Sequence, residues 1–148
     1  MQSKLVWSDA GERTFVLVLA SGEEAFKAIA AFAADAGLWG ASLTAIGAFE
    51  RATLGWFDLK KKKTYRPIEI DQQCEALSLI GDIAAGDDGK PSLHVHAVVG
   101  LSDGTTRGGH LLKAIVRPTL EVTIVESPAH LRRTKRAEVG IALIDLTR

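Results

Sequence analysis

The chain has 148 residues, 47% hydrophobic and 24% charged, with 18 Lys and Arg against 18 Asp and Glu. These proportions exclude a disordered tail, and at this length roughly 70% of the unfolded chain's surface can be buried without disulfides or a structural metal. Zero net charge argues against strong, sequence-blind attraction to DNA or anionic membranes by the molecule as a whole. The longest apolar runs fall far below the ~20 residues that span a bilayer, and Cys74 is the single cysteine, so a cytoplasmic address without a membrane partner is expected.

In chain order, a strand over 14–19 leads to a helix over 22–36. Ser21 and Glu24 have the spacing of a capping box, Phe26, Ile29, Ala30 and Ala33 form one apolar stripe, and Gly37 sits where a helix end takes a left-handed residue. Strands are then expected over 42–49, 51–59, 64–70, 75–83, 93–101, 105–109, 120–126 and 141–146, with a short helical turn near 111–115. Asp88-Gly89 and Asp103-Gly104 mark antiparallel hairpins. The fold class is α+β: a mostly antiparallel or mixed sheet with one main helix, in a single domain over 1–148. One helix cannot cover so many strands and edges, which predicts self-association. Trp7, Trp39 and Trp56 are scattered and read as packing residues.

The main chemical signal is three of the four histidines within 17 residues, His94, His96 and His110. On a strand, the H-x-H spacing projects His94 and His96 from one face about 7 Å apart. A two-residue loop of Asp103-Gly104 puts His110 opposite Ala97, facing away. A three-residue loop, Ser102-Asp103-Gly104 with Gly104 left-handed, pairs Leu101 with Thr105 and sets His96 across from His110. Gly at the third loop position favours the second register. Three neutral imidazoles suit Zn²⁺ or a similar divalent transition metal, and leave a coordination position open for chemistry. The plainer alternative is a hydrogen-bonded polar pair on a solvated or subunit-facing strand.

The order of Ser78-Leu-Ile-Gly81-Asp-Ile83, Pro91-Ser-Leu-His94-Val-His96-Ala, Asp103-Gly104, Gly108-Gly-His-Leu111 and Val116-Arg-Pro-Thr-Leu-Glu121-Val122 resembles the plant-and-prokaryote-conserved (PPC) domain. The likeness extends back through Gly22-Glu23 and Ile46-Gly-Ala-Phe49 and forward to Arg132-Arg133 and the last strand. It implies one sheet and one main helix assembled as a homotrimer, with His94, His96 and His110 gathered as a metal site near a subunit boundary. In plants the domain accompanies AT-hooks that bind A·T-rich DNA, and bacterial relatives are commonly labelled DNA-binding. Here Arg107-Gly108-Gly109 lacks the second Arg and the Pro of an AT-hook core.

Two basic clusters, Lys60, Lys61, Lys62 and Lys63 and then Arg132, Arg133, Lys135 and Arg136, are the nucleic-acid candidates. The first also reads as a solvated hairpin loop, and Arg132 and Arg133 also as partners of a neighbouring subunit's carboxylates. Glu75 and Glu121 stand in apolar strands, where either can orient a histidine or serve as a base. No phosphate-binding glycine loop or nucleophile elbow occurs. The leading reading is a trimeric binding or regulatory protein carrying a metal on the three histidines, associated with DNA or a small-molecule ligand. Its alternatives are a metal-dependent enzyme that activates water or a carbonyl or phosphoryl group, with Glu75 as proton-transfer residue, and a structural trimer without ligand.

Overall fold

The computed structural model, which describes residues 1–60, 64–127 and 129–147, contains nine strands and one helix among those residues. In order they are β1 (Gln2–Asp9), β2 (Glu12–Ala20), α1 (Ala25–Asp35), β3 (Gly40–Asp58), β4 (Thr64–Ile70), β5 (Cys74–Ala85), β6 (Pro91–Gly100), β7 (Thr106–Glu126), β8 (Arg132–Arg136) and β9 (Ile141–Asp145). Lys61, Lys62 and Lys63 lie outside the described residues. The fold is mostly β-sheet with one short helix. Among the described residues no helix is long and apolar enough to cross a membrane.

The helix starts later than the capping box predicts. Gly22 and Glu23 are pinned to β7 by paired backbone bonds, Gly22 N–H to the Val116 carbonyl and Val116 N–H to the Glu23 carbonyl, both 2.9 Å. Ser21 is drawn into the same tether, its hydroxyl donating to the Pro118 carbonyl, so it cannot cap. Glu24 caps instead, accepting from the backbone N–H groups of Phe26 and Lys27. At the other end Gly37 takes φ 63° as expected, and Leu38 N–H bonds back to the Ala33 carbonyl. Ala25, Ile29 and Ala33 form the buried stripe, and α1 lies against β6 and β7.

Two pairs of expected strands are each continuous. The segments 42–49 and 51–59 are one strand, β3, and 105–109 and 120–126 are the ends of β7, with extended chain where the helical turn near 111–115 was expected. β3 and β7 pair antiparallel along most of their lengths, and register shifts near Gly47, Phe49 and Thr53 let them bend without ending. Arg117, Pro118 and Thr119 fall in one such shift, where a proline takes no hydrogen bond from the ladder. Gly47 opposite has φ 154°, and a Cβ there would collide with the Thr119 carbonyl.

β3 also pairs with β5, β5 with β6, and β6 with β7, so four strands close into a ring. Its interior holds Phe49, Leu54, Leu79, Ile83, Val95, Leu111, Leu120 and Ile124, all essentially inaccessible, and Cys74 is packed there as well. β1 and β8, missed by propensity, owe their form to hairpin partners: among the described residues β1 pairs only with β2, and the charged β8 pairs with β9. β8 meets the ring at one parallel bridge, Arg132 to Ala85. Two tryptophans expected to pack are half exposed, Trp7 on the uncovered β1 and Trp56 on the outer side of the β3–β4 pair, 47% and 57% accessible.

Candidate metal centre

The Asp103-Gly104 hairpin adopts the three-residue form. Leu101 N–H donates to the Thr105 carbonyl, Gly104 N–H donates to the Leu101 carbonyl, and Gly104 takes φ 80°. The register that follows sets His96 directly across from His110, Ala97 from Gly109 and Val98 from Gly108. His94, two residues along β6, shares the face of His96 and stands across from Asp82 on β5. The three histidines therefore meet on the outside of the ring.

His94 Nε2 lies 3.2 Å from His96 Nε2, and each of the three rings offers a nitrogen within 4.8 Å of the others. Two ligands of a tetrahedral Zn²⁺, each about 2.0–2.1 Å from the ion, stand about 3.3 Å apart, so the His94–His96 edge already has the required span. The edges to His110 lie within the same 4.8 Å limit. Ring centroids are 5.0 Å apart for His94 and His96, 5.1 Å for His94 and His110, and 5.4 Å for His96 and His110.

Electrostatics suit ligation. Burial, reinforced by His94, His96 and Arg133, pushes the His110 imidazolium down to about pKa 4. Burial and then His94 lower His96 as well. Both rings are neutral at pH 7, the form that binds a metal. His110 Nδ1 is buried with no hydrogen-bond partner among the described residues. An unsatisfied buried polar atom costs about 1–3 kcal/mol, so this nitrogen is open to a partner beyond the described residues. The donor set, its spacing and this orphaned nitrogen fit a divalent transition metal.

Around the histidines lie residues that spacing alone does not reveal. Tyr65 stacks on His110, centroids 4.5 Å apart and planes 18° from parallel. Burial raises its phenol pKa, partly offset by Arg133. Asp82 has Oδ2 3.7 Å from His94 Nδ1, and its Oδ1 accepts from Arg133 Nη2. Burial alone would raise this carboxyl, but the adjacent His94 and Arg133 outweigh it and hold it below its ordinary range. The alternation of Ile80, Gly81 and Asp82 beside H-x-H was the available signal for Asp82; that for Tyr65 and Arg133 is long-range.

Glu75 is not brought to the histidines. It lies five residues along β5 from Ile80, the neighbour of His96, or about 16 Å of strand. With Glu121, Ile46, Leu77 and Pro118 it instead lines an open groove of about 540 Å³. The basic cluster also divides. Arg133 is buried on Asp82 and Arg136 donates to Asp145 at 3.2 Å, while Arg132 and Lys135 are exposed. Lys60 is exposed beside the run outside the described residues, its backbone N–H bonded to Asp58. His130 lies apart, beside Trp39 and Arg132.

Residues 8–128 match the profile of the Plants and Prokaryotes Conserved (PCC) domain. Comparison with curated proteins finds no match. Among solved structures, a plant- and prokaryote-conserved protein of Pyrococcus horikoshii is 30% identical with TM-score 0.83, over 90% of this chain and 91% of that one. A candidate DNA-binding protein of Bacteroides thetaiotaomicron is 28% identical with TM-score 0.85, over 96% of each chain. A protein of Archaeoglobus fulgidus described as metal-containing is 30% identical with TM-score 0.82, over 98% of this chain and 99% of that one.

Proposed function

Because this chain belongs to the Plants and Prokaryotes Conserved domain family, we propose that it is a trimeric, cytoplasmic binding or regulatory protein, one domain per protomer, that holds Zn²⁺ or a similar divalent transition metal on His94, His96 and His110. The observation that carries this reading is the convergence of one nitrogen from each histidine within 4.8 Å. The description of the Archaeoglobus protein as metal-containing supports it. When bound, such an ion supplies Lewis acidity at an open face. The chain contributes two imidazoles already neutral at pH 7, a tyrosine ring packed behind His110, and a carboxylate beside His94.

Association with DNA is carried by the description of the Bacteroides relative, and the exposed cations Arg132, Lys135 and Lys60 are its candidate contacts. Self-association is supported by the exposed outer sheet face, where Ile46, Leu77 and Ile80 are 62%, 52% and 56% accessible and share one groove. Ile80 stands directly across from His96, so an interface on this face would border the histidines. The enzymatic alternative uses the same ion without Glu75 as its proton-transfer residue.

Metal analysis of protein purified without a histidine tag tests the proposal. Roughly one equivalent of a divalent transition metal per chain is expected, bound either as purified or after incubation with Zn²⁺, and lost in the double variant His94→Ala, His96→Ala. A wild-type chain that takes up no metal overturns it.

A further inference from the structure

We infer that Asp82, clamped by Arg133 from the C-terminal hairpin, is the positioning carboxylate of the metal centre, fixing the His94 ring and linking ion binding to the docking of β8 and β9. The inference rests on the metal reading and extends it to residues outside the histidine set.

The two nitrogens of His94 face different ways. Nε2 points to His96 Nε2 at 3.2 Å, while Nδ1 points to Asp82 Oδ2 at 3.7 Å. The second separation exceeds a hydrogen bond, and a small rotation of the ring or the carboxylate closes it. An imidazole whose Nδ1–H is directed at a carboxylate carries its lone pair on Nε2, the nitrogen turned toward the other histidines.

Asp82 has little freedom to turn away, because its other oxygen is held by Arg133, whose side chain is only 6% accessible. Arg133 Nε is buried and without a partner among the described residues. With Arg133 buried and one of its donors unsatisfied, the pair is a poor source of stability, since desolvation of the guanidinium offsets much of the attraction. What the pair does supply is orientation, delivered to one atom of one histidine.

Arg133 also makes the hairpin part of the site. β8 joins the ring through the Ala85–Arg132 bridge, while the Ala85 N–H donates to the Leu131 carbonyl and the Lys135 N–H to Asp87 Oδ2. Beside these ties, the Arg133–Asp82 pair links two side chains and reaches the residue across from His94. If docking of the hairpin orients Asp82, then ion binding must by reciprocity stabilise the docked hairpin.

Co²⁺ is the probe, titrated into tag-free wild type, Asp82→Asn, Arg133→Ala and Arg133→Lys while its visible spectrum is recorded. Asp82→Asn is expected to weaken Co²⁺ binding roughly 10–100-fold and change the spectrum, with the circular dichroism of the fold retained. Arg133→Ala should weaken it likewise, and Arg133→Lys should recover part of the loss. In wild type, Co²⁺ should slow hydrogen exchange across 132–145, and in Asp82→Asn it should not. Nitrogen NMR of the metal-free protein keeps the test valid if an Arg133 variant unfolds: wild-type His94 should carry its proton on Nδ1, and Asp82→Asn should shift that tautomer. Unchanged affinity and tautomer in Asp82→Asn overturn this inference alone. A wild type that takes no Co²⁺ or Zn²⁺ overturns the metal reading together with it.

Discussion

Tyr65 lies flat on His110 because Gly55, the residue between them on β3, has no side chain. Gly55 pairs with His110 on one side and Pro67 on the other, and a Cβ on it would stand 2.7 Å from Tyr65 Cδ1 and 3.2 Å from Leu112 Cδ1. The ring thus crosses the strand to back the histidine, which joins a packing feature of the sheet to the geometry of the site.

Gly55→Ala should therefore behave as an overpacking substitution. A loss of about 1–3 kcal/mol is expected, or roughly 2–12 °C in melting temperature for a chain of this size. The same change in a Tyr65→Ala background removes the collision and should cost much less, so the two effects should be strongly non-additive in urea unfolding. Additivity would show that the Tyr65 ring is not what Gly55 accommodates.

The depressed pKa of His110 gives the metal-free protein a defined acid sensitivity. Its folded-state value of about 4 lies below the ordinary 6.5, so between those limits the unfolded chain binds the extra proton and the native one does not. The stability associated with the neutral ring is intact above pH 6.5 and is lost as pH falls toward 4. His96 is shifted in the same direction and adds to the slope, whereas the lowered Asp82 acts only below the usual carboxylate range. Urea unfolding from pH 7.5 to 4.5 should show this decline, and His110→Gln should flatten it. An equal slope in the variant would assign the acid sensitivity to other groups.

The helix start separates what was legible in the sequence from what was not. Ser21-Gly-Glu-Glu24 has the spacing of a cap, but the cap is Glu24, whose Oε1 also accepts from the Ala114 backbone at 3.1 Å. Glu24→Ala should lose about 0.5–2 kcal/mol. Ser21→Ala gives up one exposed bond to Pro118 and should lose less. Thermal unfolding ranks the two, and the reverse order would restore Ser21 as the cap.

Local chemistry was legible wherever one residue had a single physical option. Gly104 at a left-handed position selected the three-residue loop, and that choice alone placed His96 opposite His110. Contacts set by distant chain were not. Ser21 was claimed by β7, and the extended path through 111–115 depends on pairing with β3. Asp82 meets Arg133 from 51 residues away through a hairpin whose first strand, Arg-Arg-Thr-Lys-Arg, has no β signature. Glu75 was singled out as an acid in an apolar strand, and the length of β5 separates it from the histidines.

The outer sheet face carries the remaining prediction. Ile46, Leu77 and Ile80 on β3 and β5 are 62%, 52% and 56% accessible, and covering that surface with a neighbouring copy would contribute about 1–2 kcal/mol each by area. A charge placed there must be desolvated in the interface, while in a monomer it remains in water, so the substitution acts on assembly and spares the fold. Light scattering of wild type at micromolar concentration should give about three times the 15.8 kDa chain mass. Leu77→Glu, which lies away from the histidines, should shift this toward the single chain with circular dichroism unchanged. Ile80→Glu should do the same and, standing across from His96, should also alter Zn²⁺ affinity. A wild type that runs as a stable monomer sinks the trimer. A Leu77→Glu protein that remains trimeric puts the interface on another face, where the half-exposed Leu5 and Trp7 of β1 are the next apolar surface to substitute.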